Sequence, residues 1–134
     1  MDAQEHLSIG SRFLDAIAAK DREGLADLLD ADVGFRGLTP HEAFEANDPD
    51  GVIAILLGSW FEPEDHVKEV LELSTDPVAG RVQLRYRLRA ESGGDTYLVD
   101  QQGYFDVVDG RITRMSLVCA GFQPWPDAEP TPAV

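Results

Sequence analysis

The order of patterns along the chain predicts an α+β domain: about three N-terminal helices, then antiparallel strands of one sheet that buries a single face. Three observations carry this. From Glu5 to Ala19, the apolar residues Leu7, Ile9, Phe13, Leu14 and Ile17 recur at three- and four-residue steps, the period of an amphipathic helix. Val82, Leu84, Tyr86 and Leu88 alternate strictly with Gln83, Arg85, Arg87 and Arg89, the period of a half-buried strand. Between this strand and a second alternating run, Tyr97 to Val107, lies Ser92-Gly93-Gly94-Asp95, a hairpin signal.

The remaining elements fall between these. Asp21 is placed to cap a second short helix whose buried side is Leu25, Leu28 and Leu29, and Val33 to Arg36 reads as a small strand. Thr39-Pro40-His41-Glu42 has the spacing of a capping box with proline at the first helical position, which predicts a short helix ending near Asn47. Asp48-Pro49-Asp50-Gly51 restarts the chain into a helix apolar around much of its circumference, Val52 to Trp60. A proline-broken turn at Glu62 to Asp65 leads to a strand from about Val67 to Ser74. Folding the hairpin about Gly93-Gly94 pairs Arg87 with Asp100, Tyr86 with Gln101 and Arg85 with Gln102. Val108-Asp109-Gly110 predicts a second turn with Gly110 left-handed, in a bulged loop, before a last strand from Ile112 to about Phe122 whose Met115, Leu117 and Cys119 face inward.

A length of 134 residues suits one domain able to bury roughly two-thirds of its unfolded surface. The domain is expected over 1–122, with 123–134, which holds four prolines, as an acidic disordered tail. The one cysteine, Cys119, excludes an internal disulfide. No apolar run approaches the roughly 18 residues needed to span a bilayer, and the N-terminus lacks a basic-then-apolar leader, so a soluble, cytoplasmic protein without membrane partners is expected. A net charge of −14 repels phosphate backbones and removes nucleic acid from the expected partners. From Arg81 to Arg114, however, six basic residues face five acidic ones, so the sheet is nearly neutral.

Phe13-Leu14-Asp15-Ala16-Ile17 running into Asp21 to Val33, together with Tyr104-Phe105-Asp106-Val107-Val108-Asp109-Gly110-Arg111-Ile112, resembles the nuclear transport factor 2-like superfamily in its SnoaL-like branch. The resemblance covers about Glu5 to Phe122. It implies a sheet curled into a cone-like half-barrel around a ligand cavity, and an outer sheet face that often forms a homodimer. Steroid delta-isomerases of this superfamily use an aspartate base after the first strand, a tyrosine on the first helix and a carboxylic acid on a late strand. The matching positions here are Gly37, Phe13 and Gly103, so the resemblance does not extend to that acid–base machinery.

Gln101 opposite Tyr86 is the most informative constellation. An amide and a phenol on an apolar face either satisfy one another or orient a ligand's carbonyl or hydroxyl, and neither is a base at neutral pH. The expected pocket lining is Phe13, Ile17, Phe35, Trp60, Leu84, Tyr86, Val99, Gln101, Met115 and Cys119, and the ligand is small and apolar or semi-polar. Cys119 has no nearby imidazole to activate it and reads as packing. His6, His41 and His66 are scattered singly, so no metal is expected, and nothing calls for a cofactor. A lyase, isomerase or polyketide-cyclase-like enzyme is the alternative, with His41 or Asp48 as a base on a helix or loop. A third possibility is a homodimeric interaction module using the outer face, through Arg85, Arg87, Asp100, Gln102 and Tyr104.

Overall fold

The computed structural model describes residues 3–126; the part of the expected tail beyond 126 and the side chains of Ala3, Gln4, His6 and Leu7 lie outside the described residues. Helix α1 (Ala3–Ala19) buries Ile9, Phe13, Leu14 and Ile17 of the stripe its periodicity predicts, and Ala16 with them. It ends in a Schellman motif: Lys20 is left-handed, its N–H donates to the Ile17 carbonyl (3.1 Å), and the Asp21 N–H donates to that of Ala16 (2.8 Å). The Asp21 carboxylate then accepts from the Gly24 N–H at 2.9 Å and caps α2 (Arg22–Leu28).

Six strands follow in one open, curved sheet: β1 (Leu29–Leu38), β2 (Ala43–Ala46), β3 (His66–Val78), β4 (Arg81–Ser92), β5 (Asp95–Val108) and β6 (Arg111–Pro124). Their spatial order is β2-β1-β6-β5-β4-β3. Every neighbouring pair is antiparallel except β1 with β6, which is parallel. The β4–β5 register is the predicted one, with Arg87 opposite Asp100, Tyr86 opposite Gln101 and Arg85 opposite Gln102. Three turns close on two residues that both have positive φ, Ala79-Gly80, Gly93-Gly94 and Asp109-Gly110, the condition for type I′ hairpins matching the twist of the strands they join. Gly110 is left-handed as expected, but Asp109 is too. The turn is therefore the two-residue kind, and the bulge sits higher, between Asp106 and Val107.

The helix expected from Thr39 to Asn47 is not formed. The Thr39 N–H and Oγ1 both donate to the Glu42 carbonyl (2.9 and 3.3 Å), closing a four-residue loop that lays Ala43–Ala46 against β1 as β2. Ladder bonds to β1, with Phe44 packed edge-on to Trp60 at 5.8 Å, outweigh a local capping signal. Three strands are also longer than expected: β1 spans Leu29–Leu38, β3 spans His66–Val78, and β6 runs through Pro124. Edge strand β3 is largely exposed, and two register shifts and charged residues blunt its free edge.

Asp48 caps α3 (Pro49–Ala54), accepting from the Gly51 N–H at 2.7 Å with Pro49 in the first turn. The helix does not continue as α. Ile55–Trp60 is a π-helical turn, ended by the Phe61 N–H donating to the Leu56 carbonyl at 3.0 Å. α1 lies on the concave face of the sheet, and the core between them is continuous from Ile9 through Phe13, Leu84 and Tyr86 to Cys119.

Candidate functional site

β4, β5 and β6 bring three polar side chains into one row on the concave face, because Tyr86 pairs with Gln101 and Gln101 pairs with Cys119. The Tyr86 hydroxyl donates to Gln101 Oε1 in a short hydrogen bond. Gln101 Nε2 donates to Cys119 Sγ at 3.3 Å, and the Gly121 N–H reaches the same sulfur at 3.4 Å. Tyr86 and Gln101 are 0% exposed. Burial first, and then the charge that Cys119 carries once ionised, holds the Tyr86 phenol well above the ordinary tyrosine value. Tyr86 is therefore a neutral hydrogen-bond donor over the whole physiological range.

All ten residues expected to line a pocket converge on this face, and all are buried, Trp60 the most exposed of them at 6%. They are packed core. In this structure their side chains pack in one core cluster and none of the ten opens widely to solvent. Trp60 is part of that cluster. Its indole lies edge-on to Phe35 (6.1 Å) and Phe44, over Gly37, where a Cβ would stand 2.7 Å from the ring. Its Nε1–H is buried without a hydrogen-bond partner.

Two of the three positions matching isomerase acid–base groups are closed to such groups for physical reasons, and the third holds phenylalanine. The space above Gly37 holds the Trp60 ring. At Gly103 a Cβ would fall 1.8 Å from the Ser116 carbonyl oxygen, so the backbones of β5 and β6 leave no room for a carboxylic acid. Phe13 is wholly buried, 6.4 Å from the Tyr86 ring.

The two candidate bases are not in this row. His41 is exposed in the β1–β2 turn, and Asp48 is exposed and engaged as a helix cap. Among the described residues, no three of His, Cys, Asp and Glu come together as metal ligands.

The Phe61–Asp65 segment matters more than its polar, proline-containing composition suggested. Phe61 is fully buried against Phe122 (5.7 Å), which packs on Tyr97, closing the end of the concave face where β5 begins and β6 ends. Asp65 is buried too and accepts from the Glu62 N–H at 2.8 Å. Lys20 Nζ ties the segment to α1 through the carbonyls of Glu62 (2.6 Å) and Pro63 (3.2 Å). Only Phe61, apolar at the head of a polar turn, signalled this in the sequence.

On the convex face Asp100 pairs with Arg87 (3.1 Å) and Arg85 (3.4 Å), each worth about 0.2–1 kcal/mol at such exposure. Beside them a hollow of about 340 Å³ is lined by Arg36, Leu38, Ala43, Glu45, Ser116 and Val118, among others.

Comparison with known proteins fits this geometry. Residues 11–115 match the SnoaL-like domain model. The chain belongs to the SnoaL-like domain family. Solved structures of this fold include a candidate isomerase of Bacillus subtilis (TM-score 0.72, 15% identity, 89% of each chain covered). An LEH-like epoxide hydrolase of M. tuberculosis superposes with a TM-score of 0.63 at 16% identity, over 87% of this chain and 83% of that one. A nuclear transport factor 2-like protein of Burkholderia xenovorans LB400 gives 0.63 at 16% identity, over 89% and 92%. At these identities the likeness is one of fold. No curated protein matches the chain. Among the described residues no helix is long and apolar enough to cross a membrane.

Proposed function

We propose that the protein binds a small, neutral, semi-polar molecule against the concave face of its sheet, held by hydrogen bonds and without proton transfer. The observation that carries this is unused hydrogen-bonding capacity inside an otherwise apolar core. Gln101 gives one amide hydrogen to sulfur, a weak acceptor, and its second amide hydrogen is uncommitted. Buried polar groups in native proteins are nearly always satisfied, so this amide hydrogen is a donor available to a bound molecule. A ligand carbonyl or ether oxygen supplies the missing acceptor. Solved structures of this fold named for an isomerase and an epoxide hydrolase are in keeping with a ligand-binding role. An enzyme using His41 or Asp48 gains nothing from the geometry, because neither faces the row.

Native mass spectrometry of freshly purified protein tests the proposal. A co-purified neutral small molecule that is lost in the Tyr86→Phe/Gln101→Met double variant is the expected result. A ligand retained by that variant places binding elsewhere and overturns it.

A second reading concerns the convex face. Leu38, Val118 and Tyr104 are 52%, 45% and 42% exposed on adjacent strands, an apolar strip beside the Asp100 ion pairs that fits a homodimer interface.

A further inference from the structure

Trp60 sits in the molecule as a ligand would. Its ring fills a slot with a glycine floor, Gly37, and aromatic walls, Phe35 and Phe44, both edge-on to it. The indole N–H is buried without an acceptor and bears the desolvation cost of an unmade hydrogen bond. The ring is also carried at the end of a π-helical turn, Ile55–Trp60. Such a turn holds one residue more than an α-helix of the same length, and is rare because its hydrogen bonding is less favourable.

We propose that the slot over Gly37 is a binding site for an uncharged planar aromatic molecule of one or two rings, which Trp60 occupies until the Ile55–Trp60 turn passes from π to α and withdraws it. Resolving the extra residue rotates everything after it by about 100°, the angle of one α-helical residue, which turns Trp60 away from Gly37. The displaced residue passes into the Phe61–Asp65 segment, which is held to α1 through Lys20 Nζ.

Shape and charge define the ligand. Glycine below and ring edges at the sides accept a flat face and exclude a branched aliphatic body. Phe35, Gly37, Phe44 and Trp60 carry no charge, so an ion entering among them would lose its hydration unpaired. This deepens the ligand-binding function proposed above and rests on it for the ligand's existence, but not for the opening motion.

The chain has two tryptophans, so Trp125→Phe leaves the Trp60 indole N–H as a single resonance in nitrogen-15 NMR spectra. Two measurements on that full-length protein test the inference. Without ligand, the Trp60 N–H should exchange with solvent at least about 100-fold faster than the amides of Tyr86 and Gln101, because opening is local while the central strands exchange only on global unfolding. Free indole, added as the probe, should shift the resonance saturably at millimolar concentration. Gly37→Ala, which puts a methyl 2.7 Å from the ring, should abolish the indole response while Trp60 exchange speeds up. Exchange as slow as the core amides, or a resonance that indole leaves unmoved, overturns the inference. A co-purified ligand beside a static Trp60 would sink the gate and leave the proposed function standing. An indole response together with a co-purified ligand that survives Tyr86→Phe/Gln101→Met would do the reverse.

Discussion

At the scale of single residues, the Tyr86–Gln101–Cys119 row is where chemistry and stability meet. The Tyr86 hydroxyl and the Gln101 carbonyl oxygen are buried and each is satisfied by the other. Removing one partner therefore strands its mate: Tyr86→Phe or Gln101→Met alone should cost about 1–3 kcal/mol. The double variant keeps the shape and leaves neither stranded, so it should be nearly neutral, with a coupling of about 0.5–3 kcal/mol in urea unfolding. Additive costs would mean that the pair does not interact. The same phenol sets an alkaline limit. Its folded pKa lies above its unfolded one near 10, so the folded form holds a proton the unfolded form has released. Stability is fully present below about pH 10 and is then lost at about 1.4 kcal/mol per pH unit until the folded group also ionises. Tyr86→Phe should remove that part of the slope in unfolding curves taken between about pH 9 and pH 11; an unchanged slope would assign it to other groups. Much of this row was legible in advance. A hairpin folded about Gly93-Gly94 fixes Tyr86 opposite Gln101 by counting alone, and the period of β6 turns Cys119 inward. The Trp60 contact with Gly37 was not, because residues 23 apart in the chain meet only through tertiary packing.

At the scale of elements, strong local signals and regular periods survived, while weak local signals yielded to packing. α1 and the β4–β5 hairpin are where alternation and turn chemistry placed them. Thr39-Pro40-His41-Glu42 carried a helix signal without an amphipathic run behind it, and β1 recruited the following residues as a strand. The π turn was not visible either, since an all-round apolar run reads the same for any buried helix. The β3–β4 turn was missed for another reason: its first left-handed residue is Ala79, which carries no turn signature. That residue yields an element-scale prediction. An L-residue pays about 1–2 kcal/mol for the left-handed region, and glycine returns part of this in unfolded-chain entropy. Ala79→Gly should thus stabilise by about 0.5–1 kcal/mol, raising the melting temperature by a few degrees. A lower melting temperature would mean that the turn does not hold Ala79 at positive φ.

At the scale of the whole molecule, the proposed homodimer has to form between two chains of net charge −14. The pattern of inward residues could not say whether the cone is hollow, because the wall of a cavity and a packed core read alike; the convex face was easier. Three of its arginines, Arg85, Arg87 and Arg89 of β4, are already neutralised within the protomer, through Asp100, Glu72 and Glu69, so they offer a partner little uncompensated charge. What remains is the apolar strip of Leu38, Val118 and Tyr104. Association there would be driven by apolar burial and opposed by repulsion between two acidic bodies. Salt screens that repulsion, so the dimer should tighten as ionic strength rises from about 0.05 to 0.5 M, opposite to an interface held by cross-subunit ion pairs. Sedimentation equilibrium at micromolar concentration should show this dependence. Val118→Glu, at an exposed site where a substitution changes folding stability by only about ±0.5 kcal/mol, should leave a folded monomer at every salt concentration. A wild-type monomer throughout would remove the convex face as an interface. A dimer that salt dissociates would retain the interface and reassign its driving force to charge pairs crossing it.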